Sequence, residues 1–446
     1  MILRRVFTLF LCAVLLVYIF IGPSLLEQMK SNYKKSLEPV HKKTQWTGVI
    51  TLWDYPHLNI GGATHFGRIK NSIRQFEKQN PGVYIELHEL DRLEGPSFMK
   101  AAAKIGANPD IAPVGSDFFY MSGGYLEELD SFIGLEDRAD FIGSILDTAA
   151  YNGKLYGIPW MMTGYTMLLN TDMFSERNVS LPENGEWTYE QFTEALKQLT
   201  YDTNGRGGPD VFGFNSFIGP GYYGIFGILM SDGAQIIDEE TGRYIFNTPE
   251  ALSGLVKLCN LKHRYGVAHP NFGIMDKNQA WSTFLNGETA VYIGEARTVP
   301  FLRNSQAGSG ISFIPAMFPA GKSDIPLSVG LSVCSYAVFR QKDEGKRKVC
   351  MDFIKYITSE ESQADLVDLG YFPVRKSGKH LYENDKEMYT IQQNLYFAEP
   401  LPKVDNWDEI DLILQTKIKE AIEGSLSPEQ ALKEAERLIQ GLGSRR

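Results

Sequence analysis

Hydrophobic and polar residues alternate along the first part of the chain in a pattern that predicts strands separated by helices. Residues 48–53 alternate and run into Asp54, which is typical of a strand with a polar end. Residues 66–79 have helical spacing and stop at an Asn-Pro-Gly turn. Further strands are predicted over residues 83–88 and 110–114, a further helix over residues 96–105, and a helix with a turn over residues 118–129. This alternation favours a parallel sheet covered by helices.

The remainder of the chain repeats the same style. Strands are predicted over residues 166–170, 211–214, 289–293, 311–314 and 334–339. Helices are predicted over residues 188–199, 222–230, 249–265, 278–286, 345–357, 408–423 and 428–438. Thr188 with Gln191 three positions later predicts a capping box at the start of its helix. The pattern as a whole predicts an α/β protein.

The N-terminus has the pattern of an export signal. Arg4 and Arg5 precede an apolar run, and polar residues follow from Glu27, so the remaining chain is expected outside the cell. The apolar run over residues 6–21, extended by residues 22–26, is nearly long enough to span a bilayer, and we take residues 1–26 as the signal or anchor segment. No small-residue cleavage site is evident, and a large leucine precedes Cys12 where lipid attachment requires a small residue. We expect a retained anchor, with cleavage and lipidation at Cys12 as open alternatives, and a polar tether over residues 27–45.

Length and charge narrow the class of protein. A chain of 446 residues is too long for one ordinary core and favours two or more domains. Its net charge of -10 argues against nucleic acid as a partner. The chain has four cysteines, which are Cys12, Cys259, Cys334 and Cys350. They show no CxxC spacing, so we expect buried thiols and no metal site. No cofactor is predicted.

Catalytic motifs are absent from the sequence. There is no GxSxG, HExxH, P-loop or GxGxxG after a strand, although a glycosidase needs only two unmarked carboxylates. The loop with Asp202, Asn204 and Asp210 spaces oxygen atoms as calcium loops do. Arg206 stands where another oxygen ligand is expected, and Gly213 stands at the twelfth position. We therefore predict a glycine-rich turn without a tight calcium site, and leave a weak one open.

Ten short segments, in the correct order, resemble the family 1 extracellular solute-binding proteins, which are relatives of maltose-binding protein. The segments are residues 76–83, 109–111, 124–129, 151–159, 169–172, 187–192, 284–290, 353–361, 370–373 and 427–432. The resemblance implies a two-lobed, type II periplasmic-binding-protein-like α/β fold with a hinge and a ligand cleft between the lobes. It places lobe one at residues 46–156 plus 310–360 and lobe two at 159–307 plus 362–443. Hinge crossings are then expected near Gly157 and Gly308.

The same resemblance implies a function. The protein is expected to be the extracellular solute-binding component of an ABC importer, a monomer that delivers a carbohydrate to the membrane permease without catalysing a reaction. It would work at the outer face of the cell membrane, or be secreted or periplasmic if the signal were cleaved. Two alternatives stay open. One is another solute, such as a sugar phosphate, a polyamine or a peptide; the other is a surface enzyme or sensor on the same fold.

Candidate ligand-binding residues come first from the ends of the predicted strands, where open parallel sheets bind ligands. This rule selects Trp53, Asp54, Ser116, Asp117, Glu295 and Arg297. Trp53 could stack on a sugar ring and Asp54 could accept hydroxyl donors, whereas a core tryptophan is the alternative. Arg297 could bind a carboxylate, which keeps an acidic sugar open.

Further candidates follow from the resemblance. Asp117 matches a position where a lobe-one carboxylate meets the ligand, with a helix cap as the alternative. Trp160 and Tyr165 flank the first crossing. Tyr222 and Tyr223 lie where relatives place a stacking aromatic residue of lobe two, with helix core as the alternative. Trp281, on a helix with apolar neighbours, completes the candidates and is equally compatible with a core position.

Overall fold

The computed structural model describes residues 46–60, 64–238, 241–304, 310–322, 324–396 and 398–443. The predicted anchor and tether over residues 1–45 and the predicted crossing at Gly308 lie outside these residues. Within the described part of the chain, no helix combines the length and apolar character that a membrane span requires.

The strands form two main sheets and one small hairpin. In chain order they are β1 Gly48–Asp54, β2 Val83–Glu89, β3 Ile111–Ala112, β4 Ala150–Tyr151, β5 Lys154–Leu155, β6 Ile158–Thr163, β7 Tyr165–Asn170, β8 Phe212–Ser216, β9 Thr289–Glu295, β10 Phe313–Ala316, β11 Ser328–Val338 and β12 Ala398–Pro400.

Helices cover both sheets. In chain order they are α1 Gly67–Gln79, α2 Gly95–Ile105, α3 Phe118–Ser122, α4 Leu135–Asp140, α5 Gly143–Asp147, α6 Thr171–Glu176, α7 Tyr189–Gln198, α8 Phe226–Leu229, α9 Pro249–His263, α10 Lys277–Leu285, α11 Thr298–Asn304, α12 Glu344–Ile357, α13 Glu360–Gln363, α14 Leu366–Leu369, α15 Lys386–Leu395, α16 Trp407–Glu423 and α17 Pro428–Gly443. Short 3-10 helices lie at Asp130–Phe132, Glu183–Gly185 and Lys376–Tyr382.

The first sheet is mainly parallel around β1. Its strand order is β12-β11-β3-β1-β2, and β6 also pairs with β11. β1 and β2 run parallel in register from Gly48 opposite Val83 to Asp54 opposite Glu89. The carboxylate of Asp110 fixes the β1 and β3 pair, since it accepts hydrogen bonds from the backbone and hydroxyl of Thr51 at 2.8 and 3.0 Å. The ends of β1 and β3 therefore lie side by side.

The second sheet has the order β10-β7-β9-β8. β7 runs antiparallel to both β9 and β10, while β8 runs parallel to β9. Its core contains the fully buried rings of Phe192, Phe214 and Phe272. The strands predicted over residues 166–170, 211–214, 289–293 and 311–314 are present, so this sheet forms a second α/β unit.

Two strands connect the sheets. β6 pairs with β11 in the first sheet, and after Gly164 the chain continues as β7 in the second sheet. β11 has Val329 in the core of the second unit and Val338 in the core of the first. Close to the crossing, a Cβ atom on Gly115 would lie 2.5 Å from the Cα of Gly157, so both positions require glycine. These strands form the hinge.

The segment after α12 packs differently from the expected lobe division. Leu369, Phe372 and Leu395 belong to the hydrophobic core of the first unit, although residues 362–443 were expected in lobe two. Leu414 on α16, in contrast, belongs to the core of the second unit. The C-terminal third of the chain thus contributes to both hydrophobic cores. The exact boundaries of the two lobes stay a prediction.

Candidate ligand-binding cleft

Asp54 ends β1, but its side chain lies in the interior. One carboxylate oxygen accepts a hydrogen bond from the backbone of Tyr55 at 2.9 Å, and the other from the hydroxyl of Tyr336 at 3.0 Å. Burial raises the pKa of Asp54 to about 7, against the lowering effect of these hydrogen bonds. The expected role of Asp54 as a sugar acceptor must therefore be corrected. This carboxyl group joins β1 to the hinge strand β11.

A polar network surrounds this carboxyl group. Nδ1 of His57 lies 3.1 Å from the hydroxyl of Tyr371, which also accepts a hydrogen bond from Arg297 at 2.8 Å. His57 contacts the fully buried ring of Trp160 edge-on at 5.0 Å, and Arg68 lies over that ring at 4.5 Å. Burial holds the pKa of His57 well below its usual range, so the ring is neutral.

This network occupies two more of the expected ligand-binding residues. Trp160 cannot offer a stacking face, because its side chain is fully buried against His57, Tyr336 and Tyr371. Arg297 donates to Tyr371 and packs over its ring at 5.4 Å instead of presenting a free guanidinium. In this arrangement Arg297 has no free guanidinium to bind the carboxylate of an acidic sugar.

Trp53 packs within the first unit, against β2 and α2. Its ring stacks on Phe98 of α2 and lies beside His88 of β2, both with centroids 5.2 Å away. Alternation along β1 explains this placement, since successive side chains point to opposite faces of a sheet. The ring of Trp53 therefore packs between β2 and α2, and its role as a sugar-stacking residue stays a prediction.

Ser116 and Asp117 follow β3 and begin α3. The hydroxyl of Ser116 donates to the carbonyl of Val333 in the hinge strand at 2.5 Å. Asp117 caps α3, because one of its oxygens accepts from the backbone of Phe119 at 2.9 Å. Burial raises the pKa of Asp117, and the positive charge of Lys100 opposes that rise. A cap uses one oxygen, so the carboxyl group keeps further acceptor capacity.

Aromatic side chains of the second unit meet the hinge. Tyr222 is buried, donates to the carbonyl of Ile293 at 3.0 Å and packs edge-on against Tyr165 at 4.8 Å. Tyr223 accepts a hydrogen bond from the indole of Trp407 at 3.0 Å. Tyr222 therefore has the core role that was the alternative, whereas Tyr223 forms a pair with the first residue of α16.

The start of α16 provides residues that the sequence reading missed. Asp411 accepts hydrogen bonds from the backbone of Gly221 at 2.6 Å and from Gln415 at 2.8 Å. Burial raises its pKa. Trp407 and Asp411 lie one helical turn apart, beside Tyr223. The amphipathic pattern of α16 gives no sign of this role, although a tryptophan at a helix start is unusual for a pure core helix.

The two units touch across this region. Lys100 of α2 forms an ion pair with Asp408 of α16 at 2.9 Å. Ser122 of α3 lies 3.4 Å from Asp405, and Lys403 donates to the carbonyl of Ala150 at 3.0 Å. Asp117 feels the charges of both Lys100 and Asp408. The start of α16 thus faces the ends of the first sheet's strands, and the space between them is the candidate cleft.

The remaining candidates lie beside the second sheet. Glu295, at the end of β9 and opposite Tyr165, forms an ion pair with Lys277. Trp281 packs against Tyr292 at 5.2 Å and against Phe284 at 5.8 Å, in agreement with its core alternative. The structure does not bring either residue to the start of α16.

The Asp202 loop folds on itself. Oxygens of Asp202 accept from the backbone of Asn204, Gly205 and Gly207 at 2.7 to 3.0 Å. Asp210 accepts from Thr203 and from the side chain of Asn204. These carboxylates stabilise a glycine-rich turn, and the lack of a tight calcium site stays a prediction.

Comparison with known proteins identifies the family. The model of the bacterial extracellular solute-binding proteins matches residues 71–390, which is most of the chain. This protein belongs to that family. The predicted resemblance is thereby confirmed, and the family is one of solute-binding proteins.

Similar proteins agree with the fold. A putative binding protein of Brucella abortus is 23% identical over 383 residues, covering 83% of this chain and 88% of the relative. The maltooligosaccharide ABC transporter solute-binding lipoprotein of Streptococcus pneumoniae is 23% identical over 381 residues, covering 83% and 85%. The crystal structure of the cyclic alpha-maltosyl-1,6-maltose binding protein from Arthrobacter globiformis superposes with a TM-score of 0.74 at 17% identity, covering 89% of this chain and 99% of that one. The predicted two-lobed α/β fold is confirmed.

Proposed function

We propose that this solute-binding protein captures a carbohydrate between its two lobes for an ABC importer. The observation that carries the proposal is that α16 begins opposite Asp117, with Trp407 and Asp408 as its first two residues. Flat aromatic faces and carboxylate acceptors are what sugar rings and their hydroxyl groups require. The names of the Streptococcus and Arthrobacter relatives, which specify maltooligosaccharide and cyclic maltosyl-maltose, support the same class of ligand.

We assign ligand contacts to fewer residues than the sequence alone suggested. Asp117 would supply an acceptor from lobe one. Asp411 is only 3% exposed and both of its oxygens accept hydrogen bonds within lobe two, so it would position Gly221 and the start of α16 instead of meeting the sugar. Tyr223 and Trp407 would supply apolar faces, with Tyr165 below them. Burial raises the pKa of Asp117, and hydrogen bonds donated by sugar hydroxyl groups would oppose that rise because they favour the charged carboxylate.

The protein would bind its ligand without chemical change and hand it to the permease. Lobes joined by β6 and β11 can hinge, and a ligand that touches both lobes favours the closed form by its difference in affinity for the two states. Stacking and hydrogen bonding together would give roughly micromolar affinity, about -8 kcal/mol. We expect a monomer at the outer face of the membrane.

Membrane attachment through residues 1–26 is part of this proposal. The apolar run lacks a convincing processing site, so the mature protein should keep its N-terminus and fractionate with membranes. N-terminal sequencing of the native protein tests this. A mature chain that begins after Cys12, or a lipid on Cys12, would defeat the retained anchor.

Thermal unfolding with a carbohydrate panel tests the proposed ligand class. A maltooligosaccharide should raise the unfolding midpoint of the protein, because it binds only the folded state. Asp411→Asn and Trp407→Ala should reduce that rise by weakening binding on the order of 1–3 kcal/mol. Trp53→Ala, which alters a tryptophan that packs against His88 and Phe98, is the matched control and should respond as the unaltered protein does. A panel without any stabilising sugar would contradict the proposal.

A cationic solute is a second candidate, because acids at the start of α16 contact the first unit. Asp405 lies just before α16 and 3.4 Å from Ser122, and Asp408 in its first turn forms an ion pair with Lys100. A polyamine could replace that lysine as the partner of the carboxylates. Spermidine in the same unfolding assay distinguishes the two classes. Stabilisation by spermidine at low millimolar salt and not by any sugar would favour the second candidate.

A further inference from the structure

One lysine stands where the two units meet at the candidate cleft. Lys100 of α2 forms an ion pair with Asp408 of α16, and its Nζ lies 2.9 Å from the carboxylate. The side chain of Lys100 is 33% exposed and that of Asp408 is 81% exposed, so a solute can reach both. The pair therefore lies open to the solution that a ligand must cross.

The charge of Lys100 also acts on Asp117, the expected acceptor of the first unit. Burial raises the pKa of Asp117, and Lys100 opposes that rise because it favours the charged carboxylate. Burial would lower the pKa of Lys100, but the hydrogen bond with Asp408 and the charge of Asp117 outweigh this effect and raise it. One ammonium group thus serves two carboxylates, one from each unit.

We propose that Lys100 is a specificity-determining residue that keeps cationic solutes out of the cleft and leaves it to neutral ones. A cation that approached Asp408 would have to displace an ammonium group already bound there, so one ion pair would replace another without gain. A neutral sugar needs no such exchange, since its hydroxyl groups can use the remaining acceptor capacity of Asp117.

This inference rests on the proposed function, because it gives a reason why an acidic surface would take a carbohydrate in preference to a polyamine. Discrimination of this kind comes from an element that disfavours the wrong solute, in addition to contacts with the right one. Lys100 is such an element, since its positive charge repels a cation and occupies the carboxylate that the cation would need.

Calorimetric titration with spermidine, a polyamine with several ammonium groups, tests the role of Lys100. An ionic strength of about 0.15 M screens charges more than about 8 Å away. Lys100→Met keeps an unbranched apolar side chain beside the ring of Phe119 and removes the charge. It should bind spermidine about tenfold more tightly than the unaltered protein, because Asp408 becomes available for a charged hydrogen bond. Lys100→Arg keeps the charge and should bind as the unaltered protein does.

Lys104→Met is the matched control. Lys104 lies on the same helix and its Nζ is also 5.7 Å from the ring centre of Phe119, but no ion pair joins it to a carboxylate among the described residues. Its affinity for spermidine should stay within about twofold of that of the unaltered protein. The double variant Lys100→Met with Asp408→Asn should lose the gain, because the carboxylate that Lys100 leaves is then gone.

A gain that is confined to Lys100→Met and lost in the double variant would support the role of Lys100, whether or not any sugar binds. Four results would each overturn it: no gain in Lys100→Met, an equal gain in Lys104→Met, the same gain in Lys100→Arg, or a gain that the double variant keeps. None of these results bears on sugar binding, which the carbohydrate panel tests separately.

Discussion

At the scale of single residues, the environment set by distant parts of the chain decides which candidates can meet a ligand. Asp54 and Trp160 stand at strand positions that favour a cleft, yet Tyr336 and Arg68 enclose them. Tyr336 is far from Asp54 in sequence, so no local pattern reveals their hydrogen bond. Asp117 could be found from its strand end, whereas Asp411 could not, because an acid within an amphipathic helix ordinarily faces water.

The buried carboxyl group of Asp54 should make stability depend on pH. Its folded pKa is about 7 and its ordinary value is 3.8, so the folded state holds a proton that the unfolded state releases. Stability is therefore lost as pH rises through this window. Relative to Asp54→Asn, the unaltered protein should lose on the order of 2 kcal/mol between about pH 5 and pH 8. Urea unfolding at both pH values measures the difference.

His57 also makes stability depend on pH, in the direction opposite to Asp54. Comparing the unaltered protein with Asp54→Asn removes this contribution. The pKa of His57 is lowered by burial, so its effect appears as pH falls below its ordinary value, and it is common to both proteins. Tyr336→Phe removes a hydrogen bond that lowers the pKa of Asp54 and should move the loss to higher pH. A pH-independent difference between the unaltered protein and Asp54→Asn would mean that Asp54 is ionised.

At the scale of elements, local signals predict helices well and hinge strands poorly. The capping box at Thr188 is present as expected, and α7 runs over Tyr189–Gln198. The hinge strand β6 was not predicted, because all but the last of its residues are buried and no alternation marks it. The predicted helix over residues 222–230 shortens to Phe226–Leu229, since Tyr222 and Tyr223 form tertiary contacts before it.

The capping box should contribute measurably to stability. The Thr188 hydroxyl accepts from the backbone of Gln191 at 3.2 Å, and the Gln191 side chain accepts from the backbone of Thr188 at 2.8 Å. Thr188→Ala should cost about 1 kcal/mol, whereas Thr188→Ser should cost little, because serine keeps the acceptor. Denaturant unfolding of both variants gives the values. Equal losses in the two would show that the methyl group matters and the cap does not.

Gly115 should be sensitive because two backbone segments meet there. An alanine Cβ would lie 2.5 Å from the Cα of Gly157, and backbone at this distance must move. Gly115→Ala should therefore destabilise by about 1–3 kcal/mol. Gly143→Ala is the control, since a Cβ there meets no atom within 4 Å, and its stability should be close to that of the unaltered protein. Thermal unfolding that finds Gly115→Ala neutral would refute this close packing at the hinge.

At the scale of the whole molecule, two α/β units share strands at a hinge and touch through the start of α16. The family and the alternation of elements could be read from the sequence, because both are recorded in local segments. The contact between Lys100 and Asp408 could not be predicted from the sequence, because it depends on how the C-terminal third of the chain packs against both units. Function at this scale requires that the contact can open and close.

Small-angle scattering with and without a bound sugar tests this account most directly. Calorimetry first identifies a sugar that binds the protein. The radius of gyration of the protein is then measured at a saturating concentration of that sugar. Capture between hinged lobes predicts a smaller radius when the sugar is bound, and loss of that contraction in Asp411→Asn at the same sugar concentration. An unchanged radius in the saturated protein, together with normal sugar binding by Asp411→Asn and Trp407→Ala, would contradict the proposed cleft.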